Sequence, residues 1–148
     1  MFRIKTKIFR VIVTSFLIIS LLLGFFIANK CFSIDKPGDS PENPIVINSI
    51  KDLETFAQDL DEGNSYSNKF VELNNDISIN KNNKVFSKNF KKHGTLFVGT
   101  FDGVFNGNNY TIDVNIKDKS KKSDTLLFKS LGKKAKIKNL KSNFSFNH

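Results

Sequence analysis

The sequence predicts a mainly β chain with one amphipathic helix, set behind a hydrophobic leader. Three observations carry this prediction. Short apolar and β-branched runs recur from Phe70 to Leu140, broken by Asn, Gly and Asp. The stretch at about 50–61 repeats its apolar residues at helical spacing. The uncharged run Val11–Ala28 follows a basic start.

The leader comes first in the chain. Met1–Arg10 is basic, and VIVTSFLIISLLLGFFIA follows it without a charge. A positive segment before an apolar one is the pattern of a secretory signal. Cys31 and Ser33 put small residues at the −3 and −1 places for cleavage after Ser33. The alternative is an uncleaved anchor, because 18 helical residues rise about 27 Å against a hydrocarbon core of about 30 Å. The basic flank would then stay inside the cell. Both alternatives export residues 34–148, to the extracellular space or the cell surface. Lys30 stands before Cys31, where acylation of that cysteine would need a small residue. Cys31 is also the one cysteine of the chain, which excludes an intramolecular disulfide and a cysteine-rich zinc site.

Residues 34–44 form a linker, with prolines at 37, 41 and 44 that keep it out of a helix. Residues 45–148 form the folded part. Ile45–Ile47 reads as a short strand. Ser49, with Asp52 three residues on, is a capping-box start in which Asp replaces the usual Glu. Ile50, Leu53, Phe56, Ala57 and Leu60 then share one helical face, and Gly63 stands where a left-handed residue closes a helix. Strands are expected at 70–73, 77–79, 95–98, 104–105, 110–116, 126–128 and 135–140. The polar stretches Asn80–Lys92 and Lys117–Asp124 read as protruding loops. Asp102-Gly103 and Asn106-Gly107 read as structural turns that permit positive φ.

Within this folded part, Gly99-Thr-Phe-Asp-Gly-Val-Phe-Asn-Gly-Asn-Asn-Tyr-Thr-Ile112 resembles a signature of bacterial right-handed parallel β-helix surface proteins. Pro44–Ile79 is similar to that family's opening, a short strand, a helix and two strands. Leu126–Leu140 resembles a GLUG-related rung, with Leu126 and Lys129 in place of its two glycines. The resemblance covers nearly all of 44–142 in the family's order. It implies the N-terminal part of a parallel β-helix, or solenoid, of adhesin-like type, truncated relative to the family and with the helix at 50–61 as a cap.

The charge of +9 at pH 7 is unevenly spread. Residues 1–33 carry +5, residues 34–80 carry −7, and residues 81–148 carry +11. No arginine follows Arg10, so the basic block lacks the guanidinium forks that nucleic-acid binders bring, and no nucleic-acid partner is expected. Lys134, Lys136 and Lys138 alternate with Ala135 and Ile137, which puts three ammonium groups on one strand face. That face is either a solvated surface that discourages edge pairing or a site for an anionic wall polymer, a host glycan or a surface protein. The abundant phenylalanines, Phe97, Phe101, Phe105 and Phe128 among them, read as core.

Catalytic patterns are missing from the sequence. His93 and His148 are far apart and outside any zinc-protease motif, and no serine sits in a nucleophile elbow. Asp102, Asp113 and Asp118 form no ligand string, and the Gly103–Gly107 stretch has neither the lysine nor the helix of a phosphate loop. The expectation is therefore a non-enzymatic, adhesin-like segment without a cofactor or metal. Two other classes stand beside it. One is the non-catalytic front of an exported peptidase or polysaccharide-degrading enzyme. The other is a membrane-anchored cationic binder of anionic wall polymers.

Overall fold

The structure is a computed structural model that describes residues 35–116 and 126–145. Internal contacts divide the chain between Ile34 and Asp35, and the description concerns the second unit. The predicted leader, Cys31, the Ser33 cleavage point and the expected loop Lys117–Asp124 lie outside the described residues.

The short strand β1 (Ile45–Ile47) leads into the helix α1 (Ile50–Asp61), whose bounds match the periodicity of the sequence. Both ends of α1 are fixed by local chemistry. At its start the Asp52 backbone N–H donates to Ser49 Oγ at 3.3 Å, while the Ser49 backbone N–H donates to Asp52 Oδ2 at 3.0 Å. This reciprocal pair satisfies two otherwise unpartnered amides. At its end the Asn64 N–H donates to the Asp59 carbonyl and the Gly63 N–H to the Leu60 carbonyl. That double closure needs a left-handed residue, and Gly63 supplies it with φ +98°. Leu53, Phe56, Ala57 and Leu60 are buried, as their spacing predicted.

Eight strands follow: β2 (Phe70–Leu73), β3 (Ile77–Asn80), β4 (Thr95–Phe101), β5 (Val104–Asn106), β6 (Thr111–Asn115), β7 (Leu126–Leu131), β8 (Lys136–Lys138) and β9 (Lys141–Phe144). Among the described residues strand accounts for 40% and helix for 22%, so this part of the chain is mainly β. Sheet 1 has the order β1-β2-β5-β8, sheet 2 the order β3-β6-β9, and sheet 3 pairs β4 with β7. All pairings between these strands are parallel, and no sheet closes into a barrel.

From β2 onward the chain visits sheets 1, 2 and 3 in turn, then repeats the circuit. The steps between laddered residues are similar. Val71 to Phe105 and Ile77 to Ile112 span 34 and 35 residues. Phe105 to Ile137, Phe97 to Phe128 and Ile112 to Ser142 span 32, 31 and 30. Because side chains alternate across a strand, each ladder sends one set inward and the next outward. Val71 and Phe105 point in and are fully buried, and Phe70 and Val104 point out.

The core centres on Phe56. Its ring lies 4.9 Å from Tyr66, 5.3 Å from Phe97, 5.8 Å from Phe101 and 5.7 Å from Phe105. These separations, with edge and tilted orientations, are the favourable range for aromatic pairs. Phe97 also meets Phe128 at 4.8 Å. Phe97, Phe101 and Phe105 are fully buried and Phe128 is partly so, which agrees with their reading as core. The core thins toward β7–β9, where Leu126 and Leu131 are both 53% exposed.

Close backbone approach sets α1 against β4. A Cβ placed on Gly99 would lie 1.8 Å from the Leu60 carbonyl oxygen, well inside contact distance. Only glycine lets the C-terminal turn of the helix sit directly on the strand.

Several expectations are corrected. Asn80–Lys92 is not a loop, because Lys84–His93 forms a second helix, α2. Its lysines mask an apolar pair, Phe86 and Phe90, which lie one turn apart and bury against the fold. Asn89 joins them, and its amide donates to the Leu96 carbonyl at 3.0 Å. The single strand expected at 135–140 is β8, a bend at Asn139 (φ +52°), and then β9, which the sequence pattern did not indicate. Gly103 and Gly107 do lie at corners, but neither has a positive φ, and the left-handed residues other than glycine are Tyr66, Asn68, Asn108, Asn109 and Asn139. The two glycines serve close approach instead. A Cβ would meet the Tyr66 carbonyl oxygen at 2.5 Å from Gly103, and the Leu140 Cα at 2.4 Å from Gly107. Among the described residues no helix is long and apolar enough to cross a membrane.

Three outcomes follow for stability. Gly99→Ala is expected to cost about 1–3 kcal/mol through forced separation of α1 from β4, with a lower thermal midpoint by circular dichroism. Ser49→Ala is expected to cost about 1 kcal/mol. Stability should also fall with acid. Hydrogen bonding from Ser49 and the Asn48 amide holds the Asp52 carboxyl below its ordinary range, and the Lys69 ammonium does the same for Asp39. A depressed carboxyl stabilises the fold above its unfolded pKa of about 3.9, and that contribution is lost as pH falls through the lower folded value. The thermal midpoint is therefore expected to drop below about pH 4.

Candidate functional site

The outward face of sheet 1 carries the lysines singled out in the sequence. Register places them in rows across β2, β5 and β8. One row is Phe70–Val104–Lys136, and the next is Glu72–Asn106–Lys138. Adjacent strands lie about 4.8 Å apart, so each row is a line of side chains at fixed spacing. Lys134 precedes β8 and sits beside the first row. The three lysines thus divide, with Lys134 and Lys136 on one groove and Lys138 on the neighbouring row.

That groove encloses about 380 Å³. Phe70 and Val104 form an apolar floor, and Asn68, Asp102, Lys134 and Lys136 stand around it. Both floor residues are partly buried on this outward face. The Lys134 ammonium donates to Asn68 Oδ1 at 3.2 Å, linking the two sides. The Lys136 backbone N–H donates to the Gly103 carbonyl at 2.9 Å, while its ammonium has no hydrogen-bond or ion-pair partner among the described residues.

Asp102 builds the end of the groove. Its Oδ1 accepts the Lys134 backbone N–H at 2.8 Å, and its Oδ2 accepts the Ser67 hydroxyl at 3.1 Å. A Cβ on Gly132 would come within 2.2 Å of the same carboxylate. One side chain therefore ties three corners together: the residues before β2, those between β4 and β5, and those before β8. Asn68 is held at φ +59° in the first of these corners, beside Tyr66 at φ +55°. Tyr66 is kept there by its ring against Phe56 and by its hydroxyl, which donates to Asp59 Oδ2 at 2.6 Å. Burial, and then this bond to a carboxylate, pushes the Tyr66 hydroxyl well above its ordinary pKa.

The second row is a polar network. The Asn106 amide donates to Glu72 Oε1 at 3.1 Å, and the Asn108 amide to Glu72 Oε2 at 3.3 Å. The Asn139 amide donates to Asn106 Oδ1 at 3.2 Å. Stacked amides of this kind join successive strands. They bind the carboxylate of Glu72 internally. Asn106 is therefore a corner residue that holds its neighbours.

Of the predicted residues, Asp102, Gly103, Lys134 and Lys136 come together, while Asn106, Gly107 and Lys138 belong to the adjoining network. Phe70, Val104 and Asn68 were not anticipated as site residues. Phe70-Val71 is apolar at two successive positions, so alternation alone does not show which of them faces out. The register with Val104 decides it. Among the described residues no three His, Cys, Asp or Glu side chains gather as a metal site would require. Asp113 instead accepts from the Asn143 amide at 2.9 Å.

Asp102→Ala is expected to cost about 1–3 kcal/mol, because it leaves the Lys134 amide and the Ser67 hydroxyl without their charged acceptor. Asp102→Asn, which keeps one oxygen, should recover part of that loss. Urea denaturation midpoints compare the two.

Comparison with known proteins leaves this geometry to stand by itself: no family model matches the chain, and neither does any curated protein or solved structure.

Proposed function

We propose that the chain is a secreted or cell-surface, non-enzymatic, adhesin-like segment folded as a right-handed parallel β-helix related to GLUG-motif proteins. The observation that carries this reading is the repeated circuit through three parallel sheets, with ladder steps of 30–35 residues. A solenoid is the simplest chain path that gives that order, since each circuit stacks on the one before. Parallel crossovers are overwhelmingly right-handed, which gives the hand. The helix α1 packs on β4, β1 and β3, as a cap over the first circuit would.

Function follows from presentation. In-register strands hold outward side chains in rows of constant spacing, a surface suited to an extended or repetitive partner. The basic leader and its apolar run supply the route out of the cell. Lysines outnumber acids fifteen to four over residues 81–148, which favours a negatively charged partner such as a wall polymer or a host glycan.

Protease treatment of intact producing cells tests the reading. The chain is expected to be digested while a cytoplasmic marker survives, and the recovered exported form should begin at Ile34. Full protection on intact cells, with digestion only after lysis, would contradict surface display.

A further inference from the structure

We propose that the groove over Phe70 and Val104 is a subsite for one carboxylated sugar unit of an anionic polysaccharide. The inference rests on the surface-display reading and adds to it a ligand class and a binding place.

Three features of the groove select this chemistry. The floor is apolar and outward-facing, and the partly buried Phe70 that lines it supplies aromatic surface against which the C–H side of a pyranose can pack. The rim carries hydrogen-bonding groups, Asn68 and Asp102, that suit the hydroxyls around a sugar's edge. Two ammonium groups overlook the same floor. Lys134 is already turned across the groove onto Asn68, and the Lys136 ammonium has no partner among the described residues and can meet a carboxylate. A small number of polar groups converging on an apolar concavity is the usual composition of a ligand site.

Other occupants fit less well. A peptide in an extended form gains most of its affinity from main-chain hydrogen bonds to a free strand edge. β5 runs under the groove and is paired on both sides, by β2 and β8, so the floor offers no such edge, and a peptide added to the outer edge of β8 would lie beside the groove rather than in it. A nucleic acid would need phosphate contacts along its backbone, and this site has two lysines and no arginine. The Asp102 carboxylate accepts the Lys134 amide and the Ser67 hydroxyl, and the two lysine ammonium groups at the groove outnumber its single negative charge.

The groove is also shaped in advance. Asp102 fixes the corner that carries Lys134, and the left-handed turn at Asn68 is braced by the buried Tyr66. A sugar therefore meets a floor and two walls that need little ordering on binding, which favours affinity.

Fluorescence anisotropy of a labelled oligogalacturonate, titrated with the full chain in a mild non-ionic detergent at low salt, tests the proposal. A fully methyl-esterified oligogalacturonate and polyglutamate serve as comparisons. The expected result is saturable binding of oligogalacturonate, at least about tenfold weaker binding of the neutral ester, and weaker binding of polyglutamate, a tenfold change being about 1.4 kcal/mol. Lys136→Gln and Phe70→Ala should each weaken binding by roughly three- to tenfold, and Lys138→Gln by less than about twofold. Lys136→Gln changes an exposed residue, so it keeps the test valid if Phe70→Ala fails to fold. Equal affinity for polyglutamate, with Lys138→Gln as damaging as Lys136→Gln, would overturn the groove and leave only diffuse charge attraction. Absence of binding to all three probes would overturn the subsite, while surface display is judged separately by protease treatment of cells.

Discussion

The parallel register of β2, β5 and β8 is the constraint on which both the interior and the surface depend. It stacks Val71 and Phe105 in one inward row and Phe70, Val104 and Lys136 in one outward row. Because strand side chains alternate, a slip of one residue would exchange the two rows. Phe105 would then leave the aromatic cluster and the groove would lose its floor. The same pairing that buries the core therefore composes the candidate site.

Register in turn is pinned by features at the corners. Gly103 and Gly107 admit neighbouring backbone where a side chain would collide. Asp102 gathers three corners, and the Glu72–Asn106–Asn139 chain links β2 through β5 to the bend after β8. Phe56 supplies the matching constraint from inside. It is the meeting point of α1, β4 and β5, and Gly99 lets α1 come close enough to seat it. Core packing and corner chemistry thus select one alignment between them.

Much of this was legible in the residues. α1 showed its apolar stripe, its capping box and its closing glycine, all local signals carried by a dozen residues. The strands were visible as runs but not as partners, because parallel pairing joins residues about thirty positions apart and leaves no local mark. For that reason the groove was only half legible. The lysines stand out in the sequence, whereas Phe70 and Val104 become a floor only once β2, β5 and β8 are aligned. α2 was hidden for a different reason. Its lysines and asparagines give a loop-like composition, and its buried residues are only Phe86, Asn89 and Phe90. β9 is a short polar strand, Lys-Ser-Asn-Phe, that forms by pairing with β6 rather than by its own preference.

Solution NMR of cross-strand contacts in the isotope-labelled chain tests the central claim most directly. The structure predicts nuclear Overhauser effects that join Val71 to Phe105 and Phe105 to Ile137 in the pattern of parallel strands, with a matching series linking Ile77, Ile112 and Ser142. Close α-proton pairs between facing residues, the mark of antiparallel strands, or contacts displaced by one residue so that Phe105 meets Lys136, would contradict it.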